Sequence, residues 1–219
     1  MKYITLKLKL LFLGTTMISA NNIIFINGPS SSGKTSIAKE LQSQLTDTYL
    51  HVGIDWFLST MPKKLWNHPD GFLLKQTKED GKDLTQIIIG KEGQKLVNSI
   101  GPVIKSLLDS GNNLIIDEVI LSQECLNKYL DVLKNHTTLF VGTTAPIEIL
   151  RKREKQRGDR AIGMAEEQDK LTHKFLKYDL FIDTNNSKPL DSAKKIIRSL
   201  NNHKNRALKK MVAIADKIR

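Results

Sequence analysis

"IIFINGPSSSGKTSIAKEL" (Ile23–Leu41) places a short apolar run, a loop of small residues, a lysine and a helix-like pattern in immediate succession. Ile23–Asn27 is rich in β-branched residues and lacks polar alternation, as a strand buried on both faces requires. Apolar residues at 37, 38, 41 and 45 follow at helical spacing, which predicts a helix over 36–45. Between them "GPSSSGKT" (Gly28–Thr35) satisfies G-x-x-x-x-G-K-[ST] in full, and strand before with helix after is the context that motif needs. The glycines let main-chain N–H groups converge on an anion with no side chains in the way, and the helix adds its positive dipole end. Lys34 is then placed to reach the β- and γ-phosphates of ATP, and Thr35 to offer a hydroxyl to Mg²⁺. The expected nucleotide-binding set is Gly28, Pro29, Ser30, Ser31, Ser32, Gly33, Lys34, Thr35 and Ser36. The plain alternative is a serine- and glycine-rich turn before a helix.

Outward from this stretch, short apolar runs at Tyr49–Ile54, Leu114–Ile116, Leu139–Gly142 and Leu180–Asp183 read as four more strands. Helical patterns separate several of them: Gln94–Leu108, interrupted at Pro102; Pro146–Arg157, opening on its proline; Ala165–Leu176; and Leu190–Leu200. Turn signals "HPDG" (68–71) and "KEDGKD" (78–83) flank Phe72–Leu74 and Ile87–Ile89, so residues 65–90 read as a β-hairpin or an excursion. Strand–helix alternation with short apolar strands predicts an α/β, three-layer P-loop NTPase fold on a five-stranded parallel sheet, of nucleoside-monophosphate-kinase type.

The 219 residues fit one domain, expected at 21–201, with 1–20 as an extension and 202–219 as a basic helical tail. Of the net charge of +11, residues 1–22 carry +3 and residues 204–219 carry +5, so the body is nearly neutral and no nucleic-acid partner is expected. A single cysteine, Cys125, excludes an internal disulfide framework. No stretch approaches the roughly 18 apolar residues of a membrane-spanning helix. "MKYITLKLKLLFLGTTMISA" (1–20) has the outline of a secretory signal, but Lys7 and Lys9 break its apolar core and Met17 offers a second start. An ATP-using protein favours the cytoplasm over export.

Three features bear on what is done with the phosphate. Asp55 follows the second strand in "HVGIDWFL", and in an open α/β sheet the carboxyl ends of strands face the ligand. A carboxylate there accepts a proton from a hydroxyl, or else caps the following helix. Asp117 and Glu118 follow "NLII" in a Walker-B-like arrangement, where Asp117 is a candidate Mg²⁺ ligand or a strand-end turn acid. Arg153, Arg157 and Arg160 lie in "KREKQRGDR", as cations to fold over phosphates or as a solvated charged helix. The base-reading "NKxD" of GTPases is absent, which favours a small kinase.

These residues together resemble the chloramphenicol phosphotransferase family of P-loop kinases. The likeness covers about residues 23–200 and is carried by the phosphate loop, "VGIDWFLSTMP" (52–62), "LIIDEVIL" (114–121), "RGDRAIGMAEEQ" (157–168) and "YDLFIDTNN" (178–186). It implies transfer of the ATP γ-phosphate to a small-molecule hydroxyl. In that scheme Asp55 is the catalytic base, Lys34, Arg157 and Arg160 stabilise the moving group, Arg153 joins the nucleotide set, and Thr35 and Asp117 hold Mg²⁺. His173 and Tyr178 fall on family-like positions and are read as core packing. Pro29 departs from the small residue expected after the first glycine. Trp56, Phe57, Trp66 and Phe72 are read either as an aromatic acceptor wall or as core and rim. A zeta-toxin-like or polynucleotide kinase, and a non-catalytic ATP-binding protein, are the competing readings. Oligomeric state is not legible.

Overall fold

The computed structural model describes residues 22–79, 81–159, 161–202 and 204–218. The 1–20 segment and Arg160 therefore lie outside the described residues. The strands are β1 (Asn22–Asn27), β2 (Tyr49–Gly53), β3 (Phe72–Glu79), β4 (Lys82–Ile89), β5 (Asn113–Glu118), β6 (Thr137–Thr144) and β7 (Leu180–Asp183). The helices are α1 (Lys34–Gln44), α2 (Ile54–Ser59), α3 (Lys91–Asp109), α4 (Gln123–Leu133), α5 (Ile147–Arg157), α6 (Met164–Asp169), α7 (Pro189–Asn201) and α8 (Arg206–Ile218). Five strands form an all-parallel sheet in the order β2-β5-β1-β6-β7, and β3–β4 is a separate antiparallel hairpin.

The apolar run predicted as β1 is central and divides its side chains between two cores. Ile23 and Phe25 join the α3, α4 and α8 side, against Ile104, Leu108, Leu130 and Leu133. Ile24 and Ile26 face α1 and α7, against Ile37, Leu41, Ala193 and Ile196. This is the three-layer arrangement a doubly buried strand demands. α8 inserts Ala207, Leu208, Met211 and Ala215 into the first core, while Ile214 is exposed. Its buried stripe is thus 207, 208, 211, 215, and those side chains are spent on this chain's own interior.

Two elements differ from the sequence reading. α3 runs unbroken through Pro102; Asn98 and Pro102 both lie on its exposed face, where water replaces the donor that proline removes. The helix expected over 165–176 stops at Asp169, because the Gln168 carbonyl draws in Leu171 N, Thr172 N and the Thr172 hydroxyl as a turn. α4 was not anticipated, and α2 was foreseen only as a helix that Asp55 would cap; its N-cap is Gly53, and Asp55 sits in its first turn.

The hairpin is fastened to the segment after α5. Lys170 Nζ meets Glu79 Oε2 at 2.5 Å, Gln86 Nε2 donates to Glu167 Oε1 at 3.0 Å, and the Thr85 hydroxyl donates to Ile162 O at 2.7 Å. Gly163, at φ +83°, lets the two pack: a Cβ there would lie 2.0 Å from Asp83 O. Among the described residues no helix is long and apolar enough to cross a membrane.

Candidate active site

The parallel register aligns the ends of three neighbouring strands: Gly53 of β2 pairs with Asp117 of β5, and Asn27 of β1 with Glu118. The phosphate loop leaves β1 at Gly28, and Asp55 stands exposed in the first turn of α2, two residues beyond β2. The sequence thus brings Asp55, Asp117 and the loop to one edge of the sheet, where ligands bind in such folds.

Backbone demands explain the loop residues. Gly28 passes so close to β6 that a Cβ would lie 2.3 Å from Thr143 Oγ1 and 2.4 Å from Thr143 O. Gly33, at φ +86°, turns the chain into α1. Ser31 takes φ +63° without being glycine, the kind of strain found where a loop is shaped for a ligand. Ser32 Oγ is buried 2.8 Å from Thr143 Oγ1, and the Ser30 N–H donates to Gln168 Oε1 at 2.7 Å. Lys34 Nζ, itself buried, donates to Pro29 O at 2.9 Å, so the ammonium lies within the loop it follows.

Thr35 Oγ1 donates to Asp117 Oδ2 at 2.7 Å, and His51 Nε2 lies 3.5 Å from the same oxygen. Burial pushes the Asp117 carboxyl up, but His51, the Lys34 charge and the Thr35 hydroxyl together outweigh it and hold Asp117 below the ordinary carboxylate range. An ionised carboxylate beside a hydroxyl is a hard oxygen donor pair that suits Mg²⁺. Glu118 behaves in the opposite way. Complete burial drives it up to about 8, the Asp117 charge adds to this, and the Tyr129 hydroxyl, donating to Oε1 at 2.5 Å, only partly offsets it. Glu118 is therefore a neutral acid locked under the sheet edge at neutral pH.

The arginines divide. Arg153 donates from Nη1 to Thr184 Oγ1 at 2.9 Å and from Nη2 to Thr184 O at 2.8 Å. With Gly33, Ser36, Ile37, Ser187, Pro189 and Ser192 it borders a cavity of about 240 Å³ at the base of the loop. Arg157, the last residue of α5, is exposed and pairs with Asp159 at 3.1 Å, so this structure does not bring it onto the loop. The neighbouring turn is held from beneath by buried Glu154, whose carboxylate accepts Gly163 N and Ala165 N, each at 2.7 Å. Trp56 and Trp66 are exposed, whereas Phe57 and Phe72 are buried, so the aromatic set divides between rim and core.

His51, Gln168, Thr143 and Thr184 were not singled out from the sequence. Gln168 and Thr184 lie within stretches quoted for the family likeness, but each of the four meets its partner across a long stretch of chain, so no local spacing marks its role.

The family model described as "Chloramphenicol phosphotransferase-like protein" matches residues 21–201. The chain belongs to the chloramphenicol phosphotransferase-like family. Two relatives, from two strains of Mycobacterium tuberculosis and named as candidate O-phosphotransferases, are each 30% identical over 167 residues, covering 74% of this chain and 74% of theirs. Among solved structures, the M. tuberculosis APS kinase in complex with AMPPNP and APS superposes with a TM-score of 0.57 at 14% identity, over 83% of this chain and 98% of that one. An unliganded Janibacter sugar kinase gives 0.56 at 17%, over 84% and 95%. These likenesses establish the P-loop kinase fold, and the family makes the chain a kinase with a hydroxyl acceptor.

Proposed function

We propose that this family member transfers the γ-phosphoryl group of ATP to a hydroxyl of a small molecule, with chloramphenicol the first acceptor to test, and that it does so in the cytoplasm, where ATP is abundant. The observation that carries the reading is the Thr35–Asp117 pair, 2.7 Å apart at the mouth of the glycine-rich loop, with Asp55 in the first turn of α2 just past the adjoining strand.

In this reading the amides of Gly28–Thr35 and the Lys34 ammonium bind the polyphosphate, Lys34 exchanging the Pro29 carbonyl for phosphate oxygens. Ser36 and Arg153 border the remainder of the nucleotide. Thr35 and Asp117 hold Mg²⁺, which when bound neutralises charge on the phosphates. Asp55 orients the acceptor hydroxyl and takes its proton as the new O–P bond forms; the bond from Pγ to the bridging oxygen breaks and ADP leaves with that electron pair. Arg157 and Arg160 supply cationic stabilisation. The exposed pairing of Arg157 with Asp159 is weak enough to be exchanged for a phosphate.

A panel of hydroxyl compounds, chloramphenicol among them, tests this by acceptor-dependent release of ADP and capture of the phosphorylated product. Transfer that is lost in Asp55→Asn supports the reading. Tight ATP binding with no transfer to any hydroxyl would instead favour a non-catalytic nucleotide-binding role.

A further inference from the structure

A relay of hydrogen bonds beside the phosphate loop fixes the state of a histidine that the mechanism above does not use. The Ile120 N–H donates to Asn27 Oδ1 at 2.8 Å, so the Asn27 amide fits only one way round, with Nδ2 as the donor. Nδ2 donates to Thr172 O at 2.8 Å and to the Tyr178 hydroxyl oxygen at 2.7 Å. The phenol has then accepted, and its own proton goes to His173 Nδ1 at 2.8 Å; Thr172 O, at 3.4 Å, is the poorer target. A ring nitrogen that accepts this proton carries none of its own in the neutral imidazole. Burial and the Lys34 charge hold His173 below the ordinary imidazole range, with Asp169 opposing them, so the neutral ring is the form at pH 7. Its proton therefore sits on Nε2. That N–H is buried and meets no hydrogen-bond partner among the described residues, and the Ser31 hydroxyl on the loop is in the same condition.

Buried donors are almost always satisfied, so an orphan at such a place points to a ligand atom. The location narrows the choice. Asn27 immediately precedes Gly28. Gln168 binds the Ser30 amide through its side chain and Thr172 through its carbonyl. His173 thus follows a segment tied to the loop on both flanks. A donor here suits an anionic oxygen and repels a cation.

We propose that His173 is a further catalytic residue, its Nε2–H donating to an oxygen of the terminal phosphate of the nucleotide on loop 28–35. This rests on the reading of that loop as an ATP site. The terminal phosphate is favoured because the relay starts at Asn27, the residue before loop 28–35, and the Lys34 ammonium folded within that loop addresses the β- and γ-phosphates. A fixed, neutral, buried N–H stabilises charge on that oxygen in the transition state and gives up no proton. Asn27 and Tyr178 are positioning residues that set the tautomer.

The test uses the full chain, labelled with ¹⁵N, with long-range ¹H–¹⁵N correlation to read histidine tautomers. His173 is expected as the Nε2–H form, and that proton should shift and exchange more slowly when Mg·ADP with aluminium fluoride is added, but not with Mg·ADP alone. Slow hydrolysis of Mg·ATP provides a second readout that needs no acceptor. His173→Leu should lose roughly a hundredfold in rate at unchanged ADP affinity, as deletion of one such donor does elsewhere, while His173→Gln recovers most of it. Should His173→Leu fail to fold, Tyr178→Phe removes one hydroxyl and should let both tautomers populate. An Nδ1–H ring in the wild type, a ring indifferent to the bound phosphate mimic, equal rates for Leu and Gln, or a tautomer unchanged in Tyr178→Phe would each overturn the proposal. A protein that binds neither Mg·ADP nor Mg·ATP would instead remove the nucleotide reading beneath it.

Discussion

Replacing Glu118 by Gln should flatten the pH dependence of stability. Glu118 titrates near pH 8 in the fold and near its ordinary value of 4.5 when unfolded. Between those values the folded chain keeps a proton that the unfolded chain has lost, so stability falls as pH rises, by about 1.4 kcal/mol per pH unit. The contribution is complete below 4.5 and gone above about 8. From about pH 5.5 to about pH 7.5 the loss amounts to about 2–3 kcal/mol, a sizeable part of the 5–15 kcal/mol typical of a domain. Gln keeps the shape and an acceptor for the Tyr129 hydroxyl but cannot ionise. Asp117 does not blur the result: its folded value is depressed, so its contribution is present above the ordinary 3.8 and is lost only in more acidic solution. Urea unfolding of both proteins at the two pH values measures the effect. Wild type and Glu118→Gln should converge at the acidic end and separate toward the alkaline end, with the variant the more stable there. Parallel profiles would refute the burial argument for Glu118.

Asp55→Asn should cut turnover by about a hundredfold or more while leaving ATP affinity nearly intact; unchanged turnover would remove Asp55 from the role of base. Asp117→Asn should raise the Mg²⁺ concentration for half-maximal activity by at least about tenfold, read from metal titrations at saturating ATP. In Gly28→Ala the new methyl would lie 2.3 Å from Thr143 Oγ1, so the loop must shift; calorimetric titration should find nucleotide binding lost, and undiminished affinity would count against the cradle. Met211→Ala should destabilise by about 2–5 kcal/mol in thermal or urea unfolding, because its side chain fills the core beneath α8; a surface-like cost near zero would mean that this helix is not seated.

The loop and the five parallel strands were legible because both are local patterns: an apolar run that must be buried on two faces, and a glycine spacing set by anion geometry. Leu114–Ile116 was read too short because the ends of β5 are polar for separate reasons: Asn113 Oδ1 accepts the Asn22 N–H, and Asp117 and Glu118 serve the sheet edge. α4 was missed although Leu126, Tyr129, Leu130 and Leu133 carry helical spacing and Ser122 caps it by accepting Cys125 N at 3.1 Å. Its polar composition concealed the stripe. Pro102 misled because the cost of a proline depends on which face of the helix it occupies, and a sequence does not print that. Of the candidate site, Asp55 and Asp117 were legible as acids at or just beyond strand ends, and the structure puts them in the first turn of α2 and at the end of β5. His51, Gln168 and the Asn27–Tyr178–His173 relay were not, since each acts through a partner brought near only by the packing of distant segments. For Glu118 the residue was visible but its protonation was not, because that depends on complete burial beneath Tyr129.

The fastening of the β3–β4 arm to the 162–170 segment has a thermodynamic consequence. The arm holds Ile162, Glu167 and Lys170, and in the same segment Gln168 and Thr172 hold Ser30 and Asn27. A compound that displaced the arm would reach loop 28–35 through these few hydrogen bonds, with no contact needed between it and a nucleotide held there. Such communication is reciprocal by necessity: whatever factor an arriving alcohol imposes on the grip for nucleotide, the nucleotide returns in equal measure to the alcohol.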